Sequence, residues 1–286
     1  MMITTIACQL TMSLALGASH ESLAYLELRD GFWQVSIMSA DGSGVRPVTR
    51  SAGDKTRVSW YPDGKRLLVN GADGRIYGVD AATGQEQSVK TELSGFQDAV
   101  LSPDAKQIAF SLSTSGSVDD HDIWLMKEDG TALRKLTTMP WLQHEPAWSA
   151  DGRYVYFLSG NGGQVHDIWR VGVSDRRTEQ LTNNQLYHFD VAVAKDGSLA
   201  FSSNRSGNYD IWIRTPAGED RQITHDAALD ARPAWSADGR HVFFESSDGG
   251  SLGIWSIGID GSDRKRLTGV ADQARFPVVF DAGGAP

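Results

Sequence analysis

One cysteine, Cys8, is the only thiol in the 286-residue sequence. An internal disulfide is thereby excluded, and thiols say little about the redox compartment. Basic blocks are missing as well: Lys plus Arg number 27 against 36 for Asp plus Glu, a formal net charge of −9. Nucleic acid is not an expected partner, because the clustered Lys and Arg that would attract its phosphates are lacking. No phosphate loop, paired-cysteine zinc spacing or HExxH motif occurs, which removes the commonest nucleotide and zinc chemistries. Long apolar runs are scarce too. The most apolar stretch, Ile3 to Ala18, is shorter than the roughly 20 residues a spanning helix needs, so no membrane span is expected.

What is present divides the chain in two. Residues 3–18 are mostly apolar and uncharged, with small residues at Ala15, Gly17 and Ala18. This reads as the apolar region of an export signal and predicts a leader over residues 1–20, with a periplasmic or secreted product. Cytoplasmic residence is the alternative, because no Lys or Arg precedes the apolar run and Arg29 is the first basic residue. From residue 21 onward, nine Trp and twenty-nine Gly suit short strands and tight turns better than helices.

The strands repeat. Pro146-Ala147-Trp148-Ser149-Ala150-Asp151-Gly152 recurs identically from Pro233 to Gly239, with weaker copies from Val58, Ala99 and Val191 and a degenerate one from Pro277. The anchors Trp60, Leu101, Trp148, Val193, Trp235 and Val279 are spaced 41, 47, 45, 42 and 44 residues apart, and a period of about 40–45 marks propeller blades. Each copy is followed by an aromatic strand, an Ile-Trp or Ile-Tyr strand and a closing Leu-Thr or relative, making four antiparallel strands per blade. The N-terminus starts with a second-type strand from Leu23, whereas Pro277–Phe280 is a first strand with nothing after it. The expected fold is therefore an all-β, six-bladed propeller over residues 21–286. The C-terminal strand closes it by pairing with the three N-terminal strands, which leaves no residues for a second domain.

The copies of W-S-x-D-G, the D-I-W and the closing L-T resemble the WD-like repeat of TolB-like propellers, over about nine-tenths of the chain. The resemblance covers the propeller alone, without the separate N-terminal domain that TolB carries. It implies a cell-envelope setting and a protein partner. Because that family also includes propellers that gate peptidases and sugar-acid lyases, it does not by itself imply an activity.

Strand alternation sends the short Asp-Gly turns to one face and the variable second-to-third and fourth-to-first loops to the other. Binding residues gather on variable loops carried by a rigid scaffold. The residues just before each inner strand, Arg57, Asp98, Glu145, Asp190, Arg232 and Phe276, are expected to ring the channel mouth, with His144 and His188 beside them. Trp141 and Tyr187 stand outside the repeat as aromatic anchors for recognition. Asp122, Asp167 and Asp210 precede Ile-Trp in three blades and read as structural, whereas Asp119, Asp120 and His121 break the repeat.

The resulting expectation is a monomeric, non-catalytic binding or scaffolding module of the cell envelope, without a cofactor. Its partner is a protein, with a glycan as the other option, and its contacts are Trp141, Tyr187, His144, His188, Glu145, Asp190, Arg57, Arg232 and Asp98. No nucleophile is placed with an evident base. The alternative is a metal-assisted lyase or hydrolase acting on acidic oligosaccharides. In that reading His144, His188, Glu145 and Asp190 hold a divalent metal, and Arg57 or Arg232 meets the acidic sugar.

Overall fold

The computed structural model describes residues 21–91, 93, 95–117, 120–160, 166–183 and 188–281. The predicted leader lies outside these residues. Local structure begins at the Ser-x-Asp turns. Ser149 Oγ donates to Asp151 Oδ1 at 2.7 Å and accepts the Tyr154 N–H at 2.9 Å, while Gly152 takes φ +68°. Ser236 with Asp238 and Ser102 with Asp104 repeat the bond at 2.7 and 2.8 Å. In the Ser102 copy Ala105 fills the left-handed position at φ +57°, a backbone region that costs a residue with a Cβ about 1–2 kcal/mol.

These turns separate twenty-four strands into six four-stranded sheets, and no helix occurs among the described residues. Five sheets are continuous in sequence, with inner strands Lys55–Trp60, Gln97–Leu101, Gln143–Trp148, His188–Val193 and Asp230–Trp235. The sixth is built from both ends: Ala274–Asp281 pairs antiparallel with Glu21–Arg29, followed by Phe32–Ser39 and Arg46–Pro47. This is blade 1, and blades 2 to 6 follow in chain order. The predicted six-bladed architecture and its closure are thus observed, and the closure removes the sheet edge that an unpaired Glu21–Arg29 strand would expose.

Blades pack face to face. The second strands of blades 3 to 6 bury Phe110, Phe157, Phe201 and Phe244 completely, each worth about 1.5–3 kcal/mol in burial. Polar clasps fix the seams. The indole N–H groups of Trp60, Trp148 and Trp235 donate to Val278 O, Val100 O and Ala192 O of the preceding blade at 3.2–3.3 Å. The Asn70 amide both donates to Ala99 O and accepts from Ala99 N, at 2.9 and 2.8 Å. The tryptophan of the repeat is therefore a staple as well as core.

The Leu-Thr signature has a comparable cause. Thr49, Thr137, Thr182, Thr224 and Thr268 each accept, through Oγ1, the N–H of Val35, Ile123, Ile168, Ile211 or Ile254 at 2.9–3.1 Å. The outermost strand is only two or three residues long, and this side-chain bond extends its pairing toward the variable-loop face.

Candidate functional site

Every inner strand is irregular at the same place. Its register shifts between Lys55 and Arg57, Gln97 and Val100, His144 and Ala147, Phe189 and Ala192, and Ala231 and Ala234. In blade 1 the shift on the partner strand falls between Ala24 and Leu26, next to the Arg275 pairing. A bulge of this kind adds one residue and re-aims a side chain. The added residues are Asp98, Glu145, Asp190, Arg232 and Phe276, all left-handed at φ +50° to +57°. At about 1–2 kcal/mol each, five such residues are a costly way to build a strand, and strained backbone of this kind clusters at functional sites. Arg57 holds the same place in the repeat, but it is paired with Asn70 just after the bulge and is not left-handed.

The side chains interlock. Arg57 Nη1 lies 3.4 Å from Asp98 Oδ1, and its Nη2 donates to Pro146 O at 3.4 Å, so the side chain reaches from blade 2 to blade 4. Arg232 Nη1 meets Glu245 Oε1 at 2.6 Å, and its Nε lies 3.8 Å from Asp190 Oδ1. Glu145 Oε2 accepts the Asp190 N–H at 2.8 Å. Both arginines lie over the Phe276 ring, with Cζ 5.9 and 4.0 Å from its centre. Burial and then the adjacent Glu145 push the Asp190 carboxyl well above its ordinary range. Burial works in the same direction on Glu145, but the neighbouring His144, with Arg57, outweighs it and holds that carboxyl low. The two carboxyls are thus shifted in opposite directions.

His144 meets this ring only through Glu145, and His188 does not share it. Relative to the bulged acid, His144 stands one residue before Glu145 and His188 two before Asp190, so alternation points them to opposite sides of equivalent strands. His144 is half-buried, with Nε2 2.9 Å from His166 Nδ1 and Nδ1 3.6 Å from Glu145 Oε1. His188 is 0% exposed and meets Phe201 edge-on at 5.2 Å. Burial first, and then Arg205, hold its imidazole down at about 4. The four residues of the metal alternative are therefore not gathered, and among the described residues no group of three or more His, Cys, Asp or Glu is placed to hold a metal.

Trp141 is 53% exposed on the loop before blade 4. Tyr187 and Asp119 lie outside the described residues. Asp120 is exposed and His121 buried. Asp167 and Asp210 accept from Thr182 and Thr224 at 2.9 and 3.2 Å, and Asp122 pairs with Lys135, so the repeated aspartates brace the outer strand.

Sequence reasoning missed several participants. His166 joins His144, and Glu245 fixes Arg232. Glu245 could have been noticed, because it is a charge at a second-strand position that Ser111, Leu158 and Ser202 fill elsewhere. A larger omission is the apolar rim. Eight large apolar side chains are exposed among the described residues, and six of them lie on the variable-loop face: Leu28, Phe32, Leu93, Trp141, Leu229 and Val270. Leu93, Trp141, Leu229 and Val270 occupy four different fourth-to-first loops, a pattern visible only when the loops are compared with one another.

A family model described as the TolB beta propeller domain matches residues 69–279, about three quarters of the chain. The chain belongs to the TolB β-propeller family. A relative of this TolB-family propeller is an uncharacterised protein of Agrobacterium fabrum, 26% identical over 231 residues that make up 79% of this chain and 62% of that protein. The Tol-Pal system protein TolB of Nitratidesulfovibrio vulgaris is 31% identical over 130 residues, 44% of this chain and 28% of that one. The chain thus spans less than two thirds of the length of these curated relatives. The crystal structure of TolB from Acinetobacter baumannii superposes with a TM-score of 0.80 at 22% identity, covering 92% of this chain and 67% of that one, a likeness of fold.

Proposed function

We propose that this TolB-family propeller is a non-catalytic recognition module of the cell envelope that binds a protein partner through its variable-loop face. The observation that carries the reading is the apolar rim around a charged mouth: six of eight exposed large apolar side chains lie on one face. Scattered exposed apolar residues are ordinary, but their gathering on one face rimmed by polar groups marks an interaction site. The mouth itself is full. Its arginines and acids are occupied with one another, which suits a rigid polar floor beneath a contact surface. The envelope setting follows from the apolar segment at residues 3–18 and from likeness to a protein named for the Tol-Pal system.

The test is Trp141→Ala. An exposed aromatic anchor at an interface contributes about 1–2 kcal/mol or more, so capture of the envelope partner should weaken about five- to thirtyfold while the melting temperature stays within a degree or two. Unchanged capture together with unchanged stability would remove Trp141 from the contact, and the same result across Leu93, Leu229 and Val270 would sink the face assignment.

A further inference from the structure

Blade 1 carries a feature that the other blades lack. In the third strands of blades 3, 5 and 6 a cation lies over a tryptophan and a carboxylate completes the arrangement. Lys135 over Trp124 pairs with Asp122, Arg205 over Trp212 with Asp220, and Arg264 over Trp255 with Asp248. Arg266, farther from Trp255 at 6.0 Å, is instead hydrogen-bonded to the carbonyls of Asp248, Thr268 and Gly269. Arg275 has neither kind of partner. Its Cζ sits 3.9 Å from the centre of the Trp33 ring, no carboxylate lies within 4.0 Å of it among the described residues, and its Nε is buried without an acceptor. The nearest acids are engaged elsewhere: Glu245 with Arg232 and the Phe276 N–H, and Asp54 with the Trp33 N–H. Burial, and then the charge of Arg232, lower the Arg275 pKa, so the guanidinium sits where its charge is not welcome.

The surroundings are apolar and exposed. Leu28 is the cross-strand partner of Trp33, and its N–H donates to Gln273 O in the loop that carries Val270. Val270 in that loop is 66% exposed. We infer that this end of blade 1 docks a segment of the protein partner in which a carboxylate stands beside apolar side chains, the carboxylate seated on Arg275 and the apolar groups on Leu28 and Val270. The inference rests on the recognition reading above and names the chemistry of what is recognised. Charge complementarity selects this occupant: an anion supplies the acceptor that every comparable cation already has, and a half-buried charge gains most from a partner there. The net charge of −9 opposes an acidic segment at long range, but at physiological salt that field is screened beyond about 8 Å, and the contact pair decides.

The probe is the blocked tripeptide acetyl-Leu-Glu-Leu-amide, with acetyl-Leu-Gln-Leu-amide as its uncharged match. Binding is followed by the Trp33 indole N–H resonance, assigned with Trp33→Phe. The Glu peptide should bind at least about tenfold more tightly than the Gln peptide, a difference of about 1.4 kcal/mol, and 0.5 M salt should narrow the gap. In Arg275→Gln the two peptides should become equal. Because the peptide comparison is made first on the unaltered protein, it stands whether or not that variant folds. Equal binding of both peptides to the unaltered protein, or no movement of the Trp33 resonance with either, overturns the inference. If that happens while Trp141→Ala still weakens partner capture, the recognition reading survives and only the carboxylate assignment falls.

Discussion

At the scale of single residues, the variable-loop face holds charges where burial makes them expensive. Asp230 is 0% exposed, and its nearest cation, Arg264 Nη2, is 3.6 Å from Oδ1. Burial, with Asp226 adding to it, pushes its pKa up to about 6, against the pull of Ser246, Thr224 and Arg264. A pKa raised on folding contributes stability that is fully present below the unfolded value near 3.8 and is lost as pH rises through 6. The ionised Asp230 therefore costs about 2–3 kcal/mol at neutral pH. Asp230→Asn should stabilise the protein by about 1–3 kcal/mol at pH 7.5, with the gain fading toward pH 4. Urea unfolding of both proteins across that range checks it, and an Asn variant no more stable than the parent at pH 7.5 would count against the assignment. Arg264 keeps Asp226 and Asp248 as partners in the variant.

Among elements, the outer strands depend on side chains for their cohesion. A strand of two or three residues has little ladder of its own, and the threonine latch adds a bond at its loop end. In blade 4 Thr182 Oγ1 accepts the Ile168 N–H and donates to Asp167 Oδ1, both at 2.9 Å and both buried. Thr182→Val keeps the shape but leaves a buried donor and a buried carboxylate short of a partner, which costs about 1–3 kcal/mol. Denaturant unfolding should show that loss, and hydrogen exchange should show the Ile168 amide opening early. Blade 2 is the internal comparison, because Lys90 stands where the other blades have threonine. If Thr182→Val were neutral in both measurements, the latch would be incidental to the Leu-Thr signature. The repeated aspartates before Ile-Trp were legible as structural for the same reason: a residue required in several blades serves the blade.

For the whole molecule, pairing of Ala274–Asp281 with Glu21–Arg29 joins the two ends of the described chain. The repeat predicts it, since one first strand is missing at the start and one is spare at the end. Truncation after Val270 removes the inner strand of blade 1 and exposes Glu21–Arg29, along with core that now packs on blades 1 and 6. Loss of a single cooperative transition in calorimetry, or aggregation by light scattering, is expected. A truncated chain that melts as the full one does would show that the closing strand adds nothing.

The sequence by itself determined the blade count, the closure and the faces, because each depends on period and alternation, which are read along the chain. Tertiary structure decided the rest. One residue of offset between His144 and His188 separates two imidazoles that look equivalent in neighbouring repeats, since a strand reverses its facing at every step. The Glu145–Asp190 pairing and the reach of Arg57 to Pro146 depend on distances between blades, which no single repeat contains. The Arg275 guanidinium on Trp33 arises where the two chain ends meet, 242 residues apart in sequence. Only closure of the ring brings them together.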